Sequence, residues 1–228
     1  RMHYALRLND TTVVAEGYRE MMLDMRREDT LRFACVVPSK ALWSAKHPTL
    51  LRLELESRID NRIAECISRE VGVREIKISK GKLLLNNEIV TPNLAEWEAI
   101  KSLDEAKKLG YNGIIITLDK GAEKVIEECQ RRGMYVVVRT PIDTTNLGDD
   151  IRRGGNPSND PLWNESYLWR NGHALHTVAG NCAVIGQAIA KGKTSGLNIY
   201  DTYLWLKSLA PNHLVIYEGA KGEWATDK

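Results

Sequence analysis

Apolar positions in this chain fall into runs of differing period, and the runs predict its elements. His3–Leu8 alternates and predicts a short strand. Thr11–Ala15 (TTVVA) is β-branched and predicts a second strand, ending at Glu16-Gly17-Tyr18. Met21, Met22 and Met25 follow at helical spacing, as core-filling methionines do. Leu31–Val37 (LRFACVV) predicts a buried strand stopped by Pro38. Leu51, Leu55, Ile59, Ile63, Ile67 and Val71 recur every fourth residue, which predicts a helix over 48–71. Glu54/Arg58 and Glu65/Arg69 would support its solvated face as i,i+4 pairs.

Further along, Glu75–Ser79 and Lys82–Val90 predict a hairpin around Lys80-Gly81. Thr91-Pro92 predicts a helix start, with threonine as cap and proline in the first turn. Ser102 and Glu105 form a capping box for another short helix, closed by Gly110. Gly113–Leu118 (GIIITL) is a continuous apolar strand. Glu123–Arg132 is a helix with Val125, Ile126 and Cys129 inward, and its charges match the helix dipole. Gly133 stops it, and Met134–Arg139 (MYVVVR) is another buried strand. A strand–helix–strand unit of this kind makes the two strands parallel. A long Gly-, Pro-, Asn- and Asp-rich loop fills 140–165, which in a compact domain is usually functional or disordered. Two helices, near 167–190 and 197–209, and a strand at Leu214–Tyr217 complete the pattern.

Together these elements predict an α/β fold: one three-layer domain over 1–228, with a mixed, partly parallel sheet and a helical C-terminal segment. A sub-boundary near 145–165 is the other organisation the composition allows. Hydrophobic residues make up 43% of the 228, enough for a sizeable core. The net charge of +2 allows a local basic patch without demonstrating one. Cys35, Cys66, Cys129 and Cys182 show no CxxC pairing and read as small, reduced core residues. With no long apolar run and no signal-peptide pattern, they point to a cytoplasmic setting and no membrane.

In open parallel sheets, ligands gather beyond the carboxyl ends of the strands. Asp119 follows one such strand, and Asp143, Asp149 and Asp150 follow the next. Converging carboxylates suit Mg²⁺ or Mn²⁺; ordinary turn aspartates are the plainer explanation. Residues 113–155 also resemble the second half of a Toprim domain, the metal-binding module of primases, topoisomerases and some nucleases. The resemblance lies in the strand ending at Asp119, the helix and parallel strand to Arg139, and the run Asp149-Asp150-Ile151-Arg152-Arg153-Gly154-Gly155. Thr12–Tyr18 (TVVAEGY) would be the first half. The resemblance implies Glu16 in proton transfer, metal on Asp119, Asp149, Asp150 and Glu16, and phosphodiester chemistry on DNA or RNA, as in replication. Asp119-Lys120-Gly121 departs from the family's Asp-x-Asp, which makes a catalytically silent nucleic-acid-binding module the first alternative.

Arg170-Asn171-Gly172-His173-Ala174-Leu175-His176 resembles the Arg-(Asn)-x-His motif of HEPN-type ribonucleases, all-helical proteins that cleave RNA without metal. That resemblance implies Arg170 and His176 as catalytic residues; a helix start with two incidental histidines is the plain alternative. His173 and His176 with Asp160 or Glu165 could also bind a transition metal. Gly186–Thr194 (GQAIAKGKT) misses phosphate-loop spacing by one residue and reads as a helix end and turn. Trp163, Trp169 and Trp205 interleave with Arg152, Arg153 and Arg170, a pattern suited to single-stranded nucleic acid or to anchoring the loop.

Overall fold

The computed structural model describes residues 1–9, 11–20, 22, 30–148, 152, 154–220 and 226–227. They form two compact units: Arg1–Trp43 with His47–Arg74, and Ser44–Lys46 with Glu75–Lys228. The segment 145–165 lies inside the second. Among the described residues, no helix is long and apolar enough to cross a membrane.

The first unit is an antiparallel sheet of β1 (Met2–Leu8), β2 (Thr12–Arg19), β3 (Leu51–Ile59) and β4 (Arg62–Val71), in the order β2-β1-β3-β4. The helix expected over 48–71 is therefore a hairpin. A period of four is also twice the strand period of two, so it fits both elements. The adjacent alternation Leu51-Arg52-Leu53-Glu54-Leu55 fits only the strand. Asp60 and Asn61 close the hairpin at φ 48° and 62°, the left-handed pair a two-residue turn needs. Leu6, Ala41 and Leu51 form this unit's core.

Two other expectations change here. Leu31–Val37 is irregular, with Cys35 and Val36 exposed, so its apolar run is not a buried strand. Met21 and Met25 lie outside the described residues, while Met22 is exposed and not helical. Of the four cysteines, only Cys129 and Cys182 are core residues; Cys66 is exposed like Cys35, and all are free.

In the second unit, β5 (Ile76–Ser79), β6 (Lys82–Leu85) and β7 (Glu88–Val90) form a small meander. It turns at Lys80-Gly81 as expected, and again at Asn86-Asn87. Thr91-Pro92 leads into a strand, β8 (Leu94–Glu96), and not a helix. Asn93 explains this: its N–H donates to Asn112 Oδ1 at 2.7 Å and its side chain to Gly110 O at 3.1 Å, pinning the segment extended.

From β8 the chain alternates strand and helix: α1 (Leu103–Lys108), β9 (Gly113–Thr117), α2 (Ala122–Arg132), β10 (Tyr135–Arg139), α3 (Asn164–Val178), β11 (Val184–Ala188), α4 (Leu197–Leu209) and β12 (Leu214–Ile216). The Ser102 hydroxyl caps α1 by accepting from Glu105 N at 3.2 Å. Gly133, at φ 66°, ends α2 in the left-handed region where a side chain would be strained. The helix expected over 167–190 ends at Val178, and Val184–Ala188 is a strand instead. Every residue of β11 is buried, so it carries no alternation to distinguish it from buried helix.

The five strands form one parallel sheet, β12-β11-β10-β9-β8, in chain order throughout. The α/β class and the parallel pairing of β9 with β10 are as expected. No reversal of strand order occurs, so right-handed crossovers send the four helices to one face. Sequential order is that of βα-barrels, in which function collects at the carboxyl ends of the strands.

Candidate functional site at the carboxyl edge

Because all five strands are parallel, their carboxyl ends share one edge. Arg139 is the last residue of β10 and pairs in register with Thr117 of β9 and Ala188 of β11. Register neighbours project to the same face. Val138 and Gln187 are one such pair, and Gln187 reaches α3, so Arg139 projects to the face away from α3.

There the Arg139 guanidinium is 2% exposed and grips two glutamates from the ends of other strands. Nη1 donates to Glu96 Oε2 at 2.9 Å and Nη2 to Glu96 Oε1 at 2.7 Å, the parallel fork that arginine and carboxylate favour. Nη2 also donates to Glu218 Oε1 at 3.1 Å. Glu96 raises the arginine's pKa further above its ordinary value, with burial opposing and Glu218 assisting. The glutamates are 40% and 54% exposed, so each keeps oxygen lone pairs open to a ligand. Beside them Lys191 Nζ lies 3.4 Å from Glu98 Oε2. Asp143 pairs with Lys191 as an isolated parallel bridge that prolongs β10 and β11.

On the opposite face a neutral network fastens α3 to the sheet. Gln187 Nε2 donates to Thr140 Oγ1 at 3.0 Å, to Asn171 O at 3.0 Å and to Asn171 Oδ1 at 2.9 Å. Thr140 Oγ1 donates to Asn171 Oδ1 at 2.8 Å. All three residues are buried.

The residues expected to act together are dispersed. Glu16 lies in β2 of the first unit, 62% exposed, with His3 Nε2 4.0 Å from its carboxylate. Asp119 lies in the second unit, lining a 290 Å³ pocket with Glu123, Trp169, Arg170 and His173. Asp149, Asp150 and Arg153 lie outside the described residues, and Arg152 is exposed. Trp163 lines a different pocket, of 690 Å³, which Arg170 also borders. Among the described residues, no group of three or more His, Cys, Asp or Glu side chains could hold a metal ion.

The histidine motif also separates. Arg170 and His176 are six residues apart on one continuous α3, a rotation of roughly 240° that puts them on different sides. His176 is exposed, while Trp169 stacks on His173 with ring centroids 5.6 Å apart. Gly172 lies within α3 and makes room for α4, since a Cβ there would lie 2.6 Å from the Trp205 ring.

No family model matches the chain. A β-galactosidase from Klebsiella pneumoniae (strain 342) is 25% identical over 210 residues, covering 86% of this chain. The chain spans only 20% of that relative's length. A β-D-glucuronidase from Dictyoglomus thermophilum has the same fold over 95% of this chain and 39% of its own, with TM-score 0.68 and 16% identity. A glycosyl hydrolase family 2 member from Bacteroides cellulosilyticus DSM 14838 does so over 95% and 31%, with TM-score 0.65 and 15% identity.

The likeness in sequence is to a β-galactosidase, and in fold to a β-glucuronidase and a glycosyl hydrolase family 2 member. It overturns the Toprim resemblance, whose strand–helix–strand core is common to many parallel α/β folds. The Mg²⁺-dependent primase or nuclease, the silent nucleic-acid-binding module and the HEPN-like ribonuclease fall with it, as does nucleic acid as partner. The last conflicts with the fold as well, because Arg170 and His176 stand on a helix packed beside a parallel sheet.

Arg139, Glu96 and Glu218 were not among the sequence candidates. The available signal was weak: an arginine ending an otherwise apolar strand, at the edge where such sheets bind ligands.

Proposed function

We propose that this chain carries a sugar-recognising edge of a glycosidase-like protein that works on β-linked hexosides, galactosides or glucuronides. The observation that carries this is the Arg139 clamp, which fixes Glu96 and Glu218 side by side at the carboxyl edge. Sugar hydroxyls are donors in fixed geometry, and two immobilised carboxylates with free lone pairs are matched acceptors. Support also comes from the β-galactosidase likeness, which extends across both units.

Glycoside hydrolysis uses two carboxyl groups, one of which must deliver a proton to the leaving oxygen. Glu96 and Glu218 are both engaged by an arginine, so their part is to orient the sugar.

Methyl β-galactoside and methyl β-glucuronide should each be titrated into the chain by ligand-observed NMR, with hydrolysis of the nitrophenyl glycosides followed in parallel. Saturable binding of at least one sugar is expected, weakened about tenfold by Glu96→Gln, which removes a charged acceptor. A folded chain that binds neither sugar, or binds equally well after both Glu96→Gln and Glu218→Gln, overturns the proposal. Hydrolysis by the chain alone would add catalysis to recognition.

A further inference from the structure

We infer that β4 is a self-pairing edge, to which a second copy of this chain adds its own β4, antiparallel, about a two-fold axis. β4 ends the order β2-β1-β3-β4, so one side of its backbone has no neighbouring strand in the sheet. Every residue from Arg62 to Glu70 is exposed. An open edge is a template for another strand, and proteins usually block it with proline, lysine or inward-pointing charge. The sequence of β4, RIAECISREV, has no proline and no lysine. It does carry two inward-pointing charges, and these select the partner.

The face they occupy follows from the register. Leu6 of the core opposes Leu53, which opposes Arg69. Tyr4 opposes Leu55, which opposes Ile67, and Ser57 opposes Glu65. Paired residues project to one face, so Glu65, Ile67 and Arg69 stand together at the rim of the core face. Ile67 is 43% exposed there. On a helix Glu65 and Arg69 would meet as an i,i+4 pair, but along a strand they stand about 13 Å apart. Among the described residues, neither has an ion-pair partner.

The two charges are placed symmetrically, two residues on either side of Ile67. A two-fold axis through Ile67 therefore sets Glu65 of each copy opposite Arg69 of the other, and Ile67 opposite Ile67. Opposite charges directly across a ladder stabilise it, as apolar pairs do, and like charges destabilise it. On the other face Cys66 meets Ser68, both small and uncharged. Sliding one copy by two residues in either direction sets a charge against Ile67 and breaks both ion pairs, so one register is singled out. A strand without the matching pattern would leave Glu65 and Arg69 unpaired, and the edge thereby favours its own sequence. A bulge bounds the contact: the pairing with β3 jumps from Glu65 to Ile63, and the extra residue Ala64 ends the regular ladder. The symmetric stretch is 65–69, a usual length for a strand.

The test is sedimentation velocity on the full chain, from nanomolar to high micromolar concentration. A reversible monomer–dimer equilibrium is expected, weakened by added salt. Glu65→Arg sets arginine against arginine at both ends of the ladder, and Arg69→Glu sets carboxylate against carboxylate. Each variant alone should dimerise at least about tenfold more weakly. Mixed in equal amounts, the two variants are complementary again and should form a heterodimer comparable in affinity to the wild-type dimer. Ile67→Lys should abolish dimerisation. These exposed substitutions should leave the melting temperature of the monomer unchanged. Sugar binding at the Arg139 clamp should be unchanged in all of them, since the clamp belongs to the other unit.

A wild-type chain that stays monomeric at every concentration overturns the proposal. A dimer that survives both Glu65→Arg and Ile67→Lys overturns it as well, because the contact then lies on another surface. A mixture of the two charge variants that fails to pair, with both folded, rules out the two-fold register. None of these results bears on the clamp, whose own sugar titration stands or falls separately.

Discussion

Arg139 and Thr140 are adjacent in sequence, yet they anchor two different polar centres on opposite faces of one sheet. Thr140 belongs to a neutral cluster with Asn171 and Gln187, all buried and bonded to one another. Arg139 is equally buried, but its two partners are glutamates that reach solvent. The neutral centre faces inward: its bonds fasten α3 to the sheet, and the acceptor it leaves unused, Gln187 Oε1, is buried away from solvent. The charged centre is open, because a buried cation holds two accessible acceptors in place. A polar group in a core therefore signals function less by being buried than by what its partners face.

The largest effect should come from Arg139→Met. It removes the buried cation and leaves two neighbouring carboxylates without their clamp. Breaking a fully buried pair costs about 3–5 kcal/mol, but these glutamates can turn to water, so about 2–3 kcal/mol is expected. Urea denaturation measures it, and sugar affinity should drop at the same time. An unchanged denaturation midpoint would remove the distinction between the two centres.

Gln187→Leu should cost about 1–2 kcal/mol by stripping Thr140 and Asn171 of a shared donor. Sugar affinity should not change. If affinity falls with stability, the neutral centre does not face only inward and the comparison needs redrawing.

Alkaline titration gives a subtler contrast. Burial pushes the Tyr217 phenol up to about 12, and burial with Asp227 pushes Tyr203 to about 12. Both folded values exceed the unfolded value of about 10. Their contribution to stability is thus complete below about pH 10 and lost as pH rises through 12. Phenolate absorbance for these two should appear together with loss of the circular dichroism signal; earlier, separate ionisation would show that their surroundings admit water.

The smallest effect concerns Asp143, whose folded pKa is lowered, chiefly by Thr145. Its contribution is present above about pH 4 and fades as pH falls further. Thr145→Val should raise the Asp143 pKa measured by NMR. No change would mean that Lys191 and Arg139 hold the carboxylate instead.

The stretch 113–139 was legible because its signals agree. Two continuous apolar runs flank a helical period, and Gly133 supplies the left-handed stop. The hairpin 51–71 was misread because a four-residue repeat satisfies both periods; the alternation at Leu51–Leu55 and the Asp60-Asn61 turn were the finer signals that decide it. Val184–Ala188 gave no usable pattern, since a strand buried on both faces has none. Asp119 and Arg170 were singled out separately, and only the folded chain shows them lining one pocket.

The sequence by itself determined the strand–helix–strand run 113–139, the Ser102 cap, the Gly133 stop and the position of Arg139 at a strand end. These are local, because backbone periods and glycine conformations act over a few residues. Only the tertiary structure decided what Arg139 would hold. Glu96 and Glu218 lie 43 and 79 residues away from it along the chain. They meet because parallel strands laid in chain order bring all their carboxyl ends to one edge, and that order is set by packing between elements that no local pattern encodes.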